Sequence, residues 1–359
     1  MEKLGLLTGG GDAPGLNAVI RAVVKTAPHY DFEVLGIRDG FDGLLDPDGT
    51  IPLESESVRG ILPQGGTILG TANRGNPFAR EVEVDGEKKI IDVSDDVVAR
   101  AKELGLVGIV VVGGDGTLHI SEELNDKGCR TVGVPKTIDN DIGGTDVSFG
   151  FDTAINTAME ALDRLHTTAE SHHRVMVLEL MGRDAGFISL HAGLAGGADV
   201  ILIPEIPFRF DSICEKIMHR AEAGRHFSII AAAEGAHPAG GDRVFAERGD
   251  ALHVDRLGGI GNVVAAYVED SCRMETRVTV LGHLQRGGSP TAFDRWLCTR
   301  LGGEAVRLAA AGAWGRMSAL KGGTVGSVAL ADALAKPKRV DVEGDAVQTA
   351  REMGISFGD

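Results

Sequence analysis

Residues 108–117 have the sequence GIVVVGGDGT, in which an apolar run leads directly into a glycine-rich acidic turn. A β-branched run of this length is typical of a strand that is buried on both faces of a parallel sheet. The glycines of 113–117 would let phosphate oxygens approach the backbone amides, and Asp115 offers Mg²⁺ a carboxylate beside them. The stretch therefore predicts an α/β fold with a phosphate-binding loop at the end of a strand, with an ordinary Gly–Asp turn as the alternative.

Similar short runs recur on both sides of this stretch, and each ends in glycine, proline or polar residues. They cover residues 4–8, 33–37, 131–134, 175–180, 200–203, 228–233 and 276–281. Helical patterns lie between several of them, for example at 17–26 and 152–166. Strands that alternate with helices predict mostly parallel sheets covered by helices on both faces. At 359 residues, the chain is long enough for two such cores.

The polar motifs of the chain follow these runs, at the strand ends where ligands bind in parallel sheets. Besides GGDGT they are GGGDAPG at 9–15, KTIDND at 136–141, MGRDAG at 181–186, EGA at 234–236 and GHLQRGG at 282–288. In KTIDND, Asp139 and Asp141 are two residues apart, so one could accept a proton from a hydroxyl while the other contacts a metal or orients the loop. A solvated Asp/Asn turn is the alternative for that segment.

Arginines lie close to the ends of two of the runs. Arg174 precedes and Arg183 follows the run 175–180. Arg277 lies near the start of the last run, and Arg286 follows that run, with His283 between the two arginines. A planar guanidinium can donate two hydrogen bonds to one phosphate. Each arginine taken alone is more often a surface residue, but their placement at strand ends of an acidic chain indicates anion binding.

The composition excludes several kinds of partner. The formal net charge is −16 and aromatic residues make up 4%, so neither nucleic acid nor an anionic membrane is expected as a partner. No apolar run is long enough to span a bilayer, and the apolar stretch near the N-terminus is too short for a signal peptide, so we expect a cytoplasmic protein. The four cysteines form no CxxC pair, so we expect no zinc site, redox pair or disulfide framework. Residues 81–89 predict an exposed hairpin, and we expect the charged tail after Lys336 to be peripheral.

Taken in order, these motifs resemble those of the phosphofructokinase family. The resemblance rests on GGDAPG, GGDGT, PKTIDND, MGR, the glutamate loop after Ala233 and TRVTVLGHLQRGGSP, which together span residues 10–290. NAD kinases and diacylglycerol kinases share GGDGT, but they are not expected to carry TIDND or the last motif. The resemblance implies a glycolytic kinase that phosphorylates the 1-hydroxyl of fructose 6-phosphate to give fructose 1,6-bisphosphate.

The resemblance also implies two Rossmann-like three-layer domains with the active site in the cleft between them. A phosphoryl-donor domain that binds ATP and Mg²⁺ would comprise residues 1–150 and 285–335. A domain for fructose 6-phosphate would comprise residues 151–284 and 336–359.

Roles for single residues follow from the same resemblance. Asp139 would be the catalytic base for the sugar 1-hydroxyl, with Thr137 and Ile138 beside the sugar and Thr137 also among the catalytic residues. Asp115 would bind Mg²⁺, and Arg183 would stabilise charge on the transferred phosphoryl group. The other residues implied to bind the fructose ring or the 6-phosphate are Arg174, Met181, Gly182, Glu234, Arg277, His283, Leu284, Gln285 and Arg286. The residues implied to hold the donor phosphates are Gly11, Arg74, Gly114, Asp115, Gly116 and Thr117.

In this family, the arginines that match Arg174 and Arg277 reach into the site of a neighbouring subunit. The resemblance therefore implies a homo-oligomer, at least a dimer, and we expect a homotetramer.

The phosphoryl donor is implied by two positions that point in different directions. ATP users of the family usually have glycine at the position of Gly116, where pyrophosphate users usually have aspartate. Pyrophosphate users also carry lysine at the position of Lys136, where many bacterial ATP users have glycine. An aspartate at 116 would add bulk and charge against a nucleotide, whereas one added cation need not exclude ATP. We therefore expect ATP, as in the actinobacterial ATP-dependent branch that this mixed pattern resembles, with pyrophosphate as the alternative.

The sequence leaves open a non-catalytic role and a different sugar acceptor. A non-catalytic sensor of sugar phosphates or nucleotides on this scaffold would be expected to lack a base or a metal ligand, yet Asp139, Asp115 and Arg183 are all present. A different acceptor, such as tagatose 6-phosphate or sedoheptulose 7-phosphate, is compatible with the same motifs.

Overall fold

The computed structural model of the chain describes residues 1–72, 75–84, 87–247 and 256–359. The chain forms two compact units. The first comprises Met1–Thr137, Asp141–Asp152 and Arg286–Pro337, and the second comprises Ile138–Asn140, Thr153–Gln285 and Lys338–Asp359. The main difference from the expected division is Ile138–Asn140, which carries Asp139 and belongs to the second unit instead of the first.

The strands and helices alternate along most of the chain. The strands are β1 (Glu2–Thr8), β2 (Phe32–Ile37), β3 (Thr50–Leu53), β4 (Arg80–Val84), β5 (Glu87–Ile91), β6 (Leu106–Gly113), β7 (Thr131–Thr137), β8 (Phe149–Gly150), β9 (Val175–Leu180), β10 (Val200–Leu202), β11 (Ser228–Ala233), β12 (Phe245–Glu247), β13 (Arg256–Leu257), β14 (Thr276–Val280), β15 (Arg316–Lys321) and β16 (Thr324–Ala329). The helices are α1 (Leu16–Thr26), α2 (Ser94–Glu103), α3 (Asp115–Asp126), α4 (Phe151–His172), α5 (Phe187–Ala195), α6 (Phe210–Glu222), α7 (Ile260–Cys272), α8 (Ala292–Ala310), α9 (Leu330–Leu334) and α10 (Asp345–Glu352).

The sheet of the first unit has the strand order β16-β15-β7-β6-β1-β2-β3, and the short β8 pairs with β7. Its central strands are parallel, and the edge strands β3 and β16 run antiparallel to their neighbours. Valines 110, 111 and 112 of β6 are fully buried, as a central strand of a sheet covered on both faces requires. Helix α1 packs against α8, where a Cβ on Gly302 would lie 2.8 Å from the Cβ of Ala22. Glycine at that position therefore allows the two helices to approach closely.

The main sheet of the second unit has the order β10-β11-β9-β14, and all of its pairings are parallel. Helices α6 and α7 bury one apolar face each in a common core with these strands, through residues such as Ile213, Ile217, Val264 and Val268. On α5, a Cβ on Gly193 would lie 2.7 Å from Ile201 of β10, so that helix packs closely against the sheet. The expected fold class, α/β with mostly parallel sheets, is confirmed.

Several local expectations can be compared with the structure. The hairpin predicted at 81–89 is confirmed by the antiparallel pair β4 and β5. The peripheral tail is a wrong prediction, because Val340, Val347 and Phe357 are buried. No disulfide framework was expected from the sequence; within its described residues the structure has a single disulfide, which joins Cys214 on α6 to Cys272 on α7. Among the helices of the described ranges, none combines the length and the apolar character needed to cross a membrane.

Candidate active site

Two of the predicted motifs, and Lys136 at the start of a third, lie at one edge of the first unit's sheet. Strands β1, β6 and β7 are parallel neighbours, so the loops that follow them start at the same edge. The backbone N–H of Gly9 donates to the carbonyl of Val112 at 2.9 Å, which ties the first loop to the end of β6. The sequence motifs GGGDAPG and GGDGT therefore form one adjoining surface.

Thr117 packs these two loops together. A Cβ added to Gly9 would lie 2.7 Å from the side chain of Thr117, and one added to Gly113 would lie 2.4 Å from it. Both distances are too short for any residue other than glycine without displacement of Thr117. Thr117 is 8% exposed, so its side chain mainly fills the space between the two loops.

Helix α3 begins at Asp115, directly after Gly114, and its first turn borders open space. Beyond its chain neighbours and the backbone of its own helix, a Cβ added to Gly116 would meet no atom within 4 Å. The Asp115 side chain is 53% exposed and lies 3.5 Å from Nδ1 of His119, one turn further along the helix. The N-terminus of a helix favours an anion, and this carboxylate beside it suits a Mg²⁺ ion that also takes oxygens from a phosphate. Across the described ranges, no group of three or more His, Cys, Asp or Glu residues is arranged to hold a metal, so the phosphate oxygens would complete such a site.

Lys136 and Arg286 bring positive charge to the first loop. The Lys136 ammonium, on a side chain that is 4% exposed, donates to the carbonyl of Gly11. The guanidinium of Arg286 donates to the carbonyl of Asp12 at 3.2 Å, and a Cβ on Gly11 would collide with it. Arg286 belongs to the first unit, whereas the other predicted 6-phosphate ligands belong to the second. The expected donor contact Arg74 lies outside the described residues.

In the second unit, the loop at 181–186 is held by the loops of both neighbouring strands. The backbone N–H of Met181 donates to Oε1 of Gln285 at 3.0 Å, and that of Arg183 donates to Oε1 of Glu234 at 3.2 Å. Because β9 lies between β11 and β14, residues after all three strands converge at one edge. From the sequence, Gln285 and Glu234 were expected only as substrate contacts. In the structure both side chains accept hydrogen bonds from the backbone of the loop 181–186 and so hold that loop in position.

Arg183 adopts a left-handed backbone conformation, with φ of 48°, after Gly182 with φ of 140°. A side chain at Gly235 could not be accommodated, because its Cβ would lie 1.9 Å from the carbonyl oxygen of Arg183. Non-glycine residues in the left-handed region are uncommon and cluster at functional sites. The conformation of the loop is therefore set by close backbone contacts around the predicted catalytic arginine.

Glu179 is a functional neighbour that the sequence analysis missed. It is the one charged residue in the strand β9 and is 3% exposed. Its carboxylate accepts hydrogen bonds from the backbone N–H groups of Gly259 and Gly261, at 2.9 and 2.8 Å, where α7 begins. A lone acidic residue within an otherwise apolar run was the signal that could have found it, since a buried charge needs a partner.

Several titratable groups surround Glu234. Burial raises the pKa of Glu234 to about 7, and the charges of Asp139 and Glu179 raise it as well, while the backbone N–H and guanidinium of Arg183 lower it. The folded-state pKa exceeds the unfolded value, so the folded protein binds an extra proton between about pH 4.5 and 7. The free energy of unfolding contributed by this residue therefore falls as pH rises through that window.

Replacing Glu234 with glutamine should remove this pH dependence. The amide keeps an oxygen that can accept from Arg183 but carries no charge. We expect the Tm of Glu234→Gln to match that of the wild type at pH 5 and to exceed it by about 2–5 °C at pH 8. Glu222→Gln, at the exposed end of α6, is the matched control and should leave the pH profile of Tm unchanged. Parallel profiles for the wild type and Glu234→Gln would contradict the prediction.

The predicted base lies on the short segment Ile138–Asn140 of the second unit. Asp139 is 5% exposed, and Ile138 beside it is 1% exposed. Asn140 follows in a left-handed conformation with φ of 55°. Thr137 and Asp141, on either side of this segment, belong to the first unit. The two carboxylates of the motif are therefore assigned to different units, which favours different roles for them.

Arg174 and Arg277 lie at the opposite edge of the second unit's sheet. Arg174 directly precedes β9, and Arg277 is the second residue of β14, whereas Arg183 follows the far end of β9. Six residues of strand separate the two ends, or about 20 Å. Glu275 bonds both arginines, and hydrogen bonding to Arg174 holds the pKa of Glu275 below its ordinary value. One chain therefore does not bring these two arginines to the loop of Arg183.

His283 and Leu284 lie in the 3₁₀ turn Gly282–Arg286 that follows β14. The turn buries Gln285 fully and leaves Leu284 69% exposed. The predicted substrate contacts of this turn thus divide into a buried positioning residue and exposed neighbours.

The site combines glycine-rich loops at the ends of parallel strands, cations beside those loops and an acidic residue at the start of a helix. This combination is typical of phosphate-binding α/β proteins. The model of the phosphofructokinase family matches residues 3–309. The chain belongs to the phosphofructokinase family.

Curated relatives match the chain along its whole length. It is 52% identical, over 100% of its own length and 98% of the relative, to a Chloroflexus aurantiacus protein named ATP-dependent 6-phosphofructokinase. It is 48% identical, over 99% of its length and 100% of the relative, to a Streptomyces coelicolor protein named pyrophosphate–fructose 6-phosphate 1-phosphotransferase. Among solved structures, Saccharomyces cerevisiae phosphofructokinase matches with a TM-score of 0.80 and 29% identity, covering 99% of this chain and 47% of that one. Relatives of similar identity thus carry names with different phosphoryl donors.

Proposed function

We propose that the chain is an ATP-dependent 6-phosphofructokinase, which transfers the terminal phosphoryl group of ATP to the 1-hydroxyl of fructose 6-phosphate in the glycolysis of the cytoplasm. The open space at Gly116, at the first turn of α3, is the observation that supports ATP most directly. A nucleotide is larger than pyrophosphate and needs room beyond the phosphates that the loops hold. Lys136 is compatible with this donor because its ammonium bonds the carbonyl of Gly11 and adds charge without filling that space.

The chemistry requires positioning and charge neutralisation more than covalent participation of the protein. Gly11 and the start of α3 would hold the donor phosphates, and Asp115 would hold a Mg²⁺ ion that neutralises charge on them. Asp139 would accept the proton of the sugar 1-hydroxyl, while the guanidinium of Arg183 stabilises the charge that develops on the transferred group. Glu234 and the backbone of 181–183 would contact the sugar.

The position of Arg174 and Arg277 supports a homo-oligomer in which each site takes these arginines from a second copy. Because they lie about 20 Å along the strand from the Arg183 loop, they could serve a 6-phosphate there only if another chain supplied them. The arrangement is isologous when each copy gives its arginines to the other, so a dimer is the smallest active form. We propose a homotetramer built from such dimers.

The direct test is an assay of the purified protein with Mg²⁺ and fructose 6-phosphate, in which ATP and pyrophosphate are compared as donors. We expect fructose 1,6-bisphosphate to form with ATP. Turnover with pyrophosphate should be at least about 100-fold slower, because pyrophosphate would leave polar groups of the nucleotide site without hydrogen-bond partners. Tagatose 6-phosphate and sedoheptulose 7-phosphate are assayed in parallel as acceptors. Turnover with pyrophosphate alone would overturn the donor and leave the acceptor and the base standing, whereas no turnover with either donor would favour a non-catalytic sensor.

A further inference from the structure

The segment after Pro337 belongs to the second unit, where it bonds the segment of Asp139 directly and is connected to the loop of Arg183 through Glu205. We refer to residues 338–340 as the C-terminal brace. The ammonium of Lys338 donates to Oδ1 of Asn140 at 2.9 Å, next to Asp139 in sequence. The same ammonium lies 5.4 Å from the ring centroid of Phe187, the first residue of α5. One side chain thus contacts the segment of the base and the helix that follows the arginine loop.

The backbone of the brace makes the second connection. The N–H of Val340 donates to Oε1 of Glu205 at 3.0 Å, and the N–H of Gly186 donates to the same carboxylate at 3.0 Å. Gly186 ends the loop that carries Arg183, and its close approach to Ile203 and Glu205 leaves no room for a side chain. Val340 is 6% exposed, and both hydrogen bonds to Glu205 are partly buried. The loop of Arg183 and the segment of Asp139 are therefore both tied to the same three residues.

The conformation of Asn140 makes the contact with Lys338 consequential. Its φ of 55° is in the left-handed region, which asparagine tolerates better than most residues but which still costs free energy. Such a conformation persists only when its surroundings hold it. Asn140 is 5% exposed, and a hydrogen bond from a charged donor is among the stronger interactions available to it. The direction of the peptide between Asp139 and Asn140 depends on this conformation.

The charge of Lys338 also acts within the same region. Burial lowers the pKa of His191, on α5, and the charge of Lys338 lowers it further, while Asp345 raises it. The ammonium therefore also acts on a titratable group of α5, the helix that follows the arginine loop.

We propose that Lys338 is a positioning residue for Asp139. Lys338 acts through Asn140 and so sets the geometry in which Asp139 accepts the proton of the sugar hydroxyl. The proposal rests on the proposed function, because it takes Asp139 to be the base. It assigns a role in the reaction to a residue outside the predicted substrate contacts and outside the family motifs of 10–290.

The test compares Lys338→Met, Lys338→Arg, Asn140→Gly and the double variant Lys338→Met with Asn140→Gly. Methionine keeps the length of the side chain without charge, and glycine keeps the left-handed backbone without Oδ1. We expect Lys338→Met to lower kcat about 10- to 100-fold, the range for loss of a hydrogen bond from a charged group. The KM for fructose 6-phosphate should stay within about twofold, and Lys338→Arg should recover most of kcat, because binding is untouched and arginine can still donate.

The double variant and two controls decide the interpretation. If Lys338 acts through Asn140, the kcat of the double variant should be no lower than that of the less active single variant. Lys336→Met, a change at an exposed lysine two residues earlier, should leave kcat and KM unchanged. Three results would each overturn the proposal. The first is a kcat within twofold of wild type in Lys338→Met, and the second is a rise in KM together with falls in Tm and kcat. The third is strict additivity of the effects of Lys338→Met and Asn140→Gly on kcat. Asp139→Asn is measured alongside. Full activity in that variant would show that Asp139 is not the base, which is a separate failure from a failure of the role proposed for Lys338.

Discussion

Replacement of Asp139 by asparagine is expected to lower kcat by about 10²- to 10⁴-fold, the contribution typical of a positioned general base. Asparagine has the shape of aspartate, and Asp139 is 5% exposed in a tightly packed segment, so the fold should tolerate the change. The amide cannot accept the hydroxyl proton. The measurement is kcat and KM for fructose 6-phosphate at saturating ATP, with Tm as the check on folding.

Asp141→Asn is the matched control for Asp139→Asn. Both carboxylates belong to the same motif, but Asp141 is part of the first unit and Asp139 is part of the second, with the sugar-contact candidates. We expect Asp141→Asn to change the KM for ATP by a larger factor than it changes kcat. A larger loss of kcat in Asp141→Asn than in Asp139→Asn would reverse the assignment of the base.

The same variant can test whether sites are shared between copies. Asp139→Asn lacks a base in its own site, and Arg277→Met would lack an arginine that serves a partner's site. Mixing and reassembly of the two inactive proteins should restore about a quarter of the wild-type activity, because half of random dimers are mixed and each of those holds one intact site of two. No recovery after demonstrated exchange of subunits would mean that Arg277 acts within its own chain or not at all.

Much of the fold and of the candidate site could be predicted because both depend on short-range sequence patterns. Strands such as β6 and the loops after them are encoded by β-branched runs that end in glycine, and Gly113 is glycine because Thr117 packs against it. The parallel arrangement follows from the alternation of strands and helices. These features need no knowledge of distant contacts.

The parts that sequence reasoning missed are contacts between distant residues. Lys338 bonds a residue 198 positions away, and Cys214 pairs with Cys272 across 58 positions. Local charge made the C-terminal segment look peripheral, whereas tertiary packing buries Val340. Periodicity and composition report how a segment is patterned but not which distant segment covers it, and the burial of the brace was missed for that reason.

The donor prediction depends on one position, and Gly116→Asp should change the donor preference without harming the fold. Gly116 is the second residue of α3, where aspartate has a better helix propensity than glycine and a favourable interaction with the helix dipole. Outside its chain neighbours and its own helix backbone, no atom lies within 4 Å of the added Cβ, so the folded state has room for the side chain. We therefore expect Tm to stay the same or to rise slightly.

The effect on ATP should be large because the new carboxylate would face the phosphates of the nucleotide. Like charges brought together at a binding site cost several kcal/mol, so kcat/KM for ATP should fall by about 10²- to 10³-fold. Gly116→Asn adds the same bulk without charge and separates the steric part from the electrostatic part. A loss in Gly116→Asp that far exceeds the loss in Gly116→Asn would identify charge as the main barrier.

Lys136→Met completes the comparison, because it removes the other position at which the family's ATP and pyrophosphate users differ. The ammonium bonds the carbonyl of Gly11 within loops that would hold the phosphates of either donor, so its loss should weaken ATP and pyrophosphate by similar factors. Gly116, in contrast, is the position where an added carboxylate would oppose a nucleotide under the proposed donor assignment. If Gly116→Asp leaves ATP turnover intact while Lys136→Met abolishes it, the lysine and not the glycine determines the donor, and the open space at the start of α3 has no bearing on the choice.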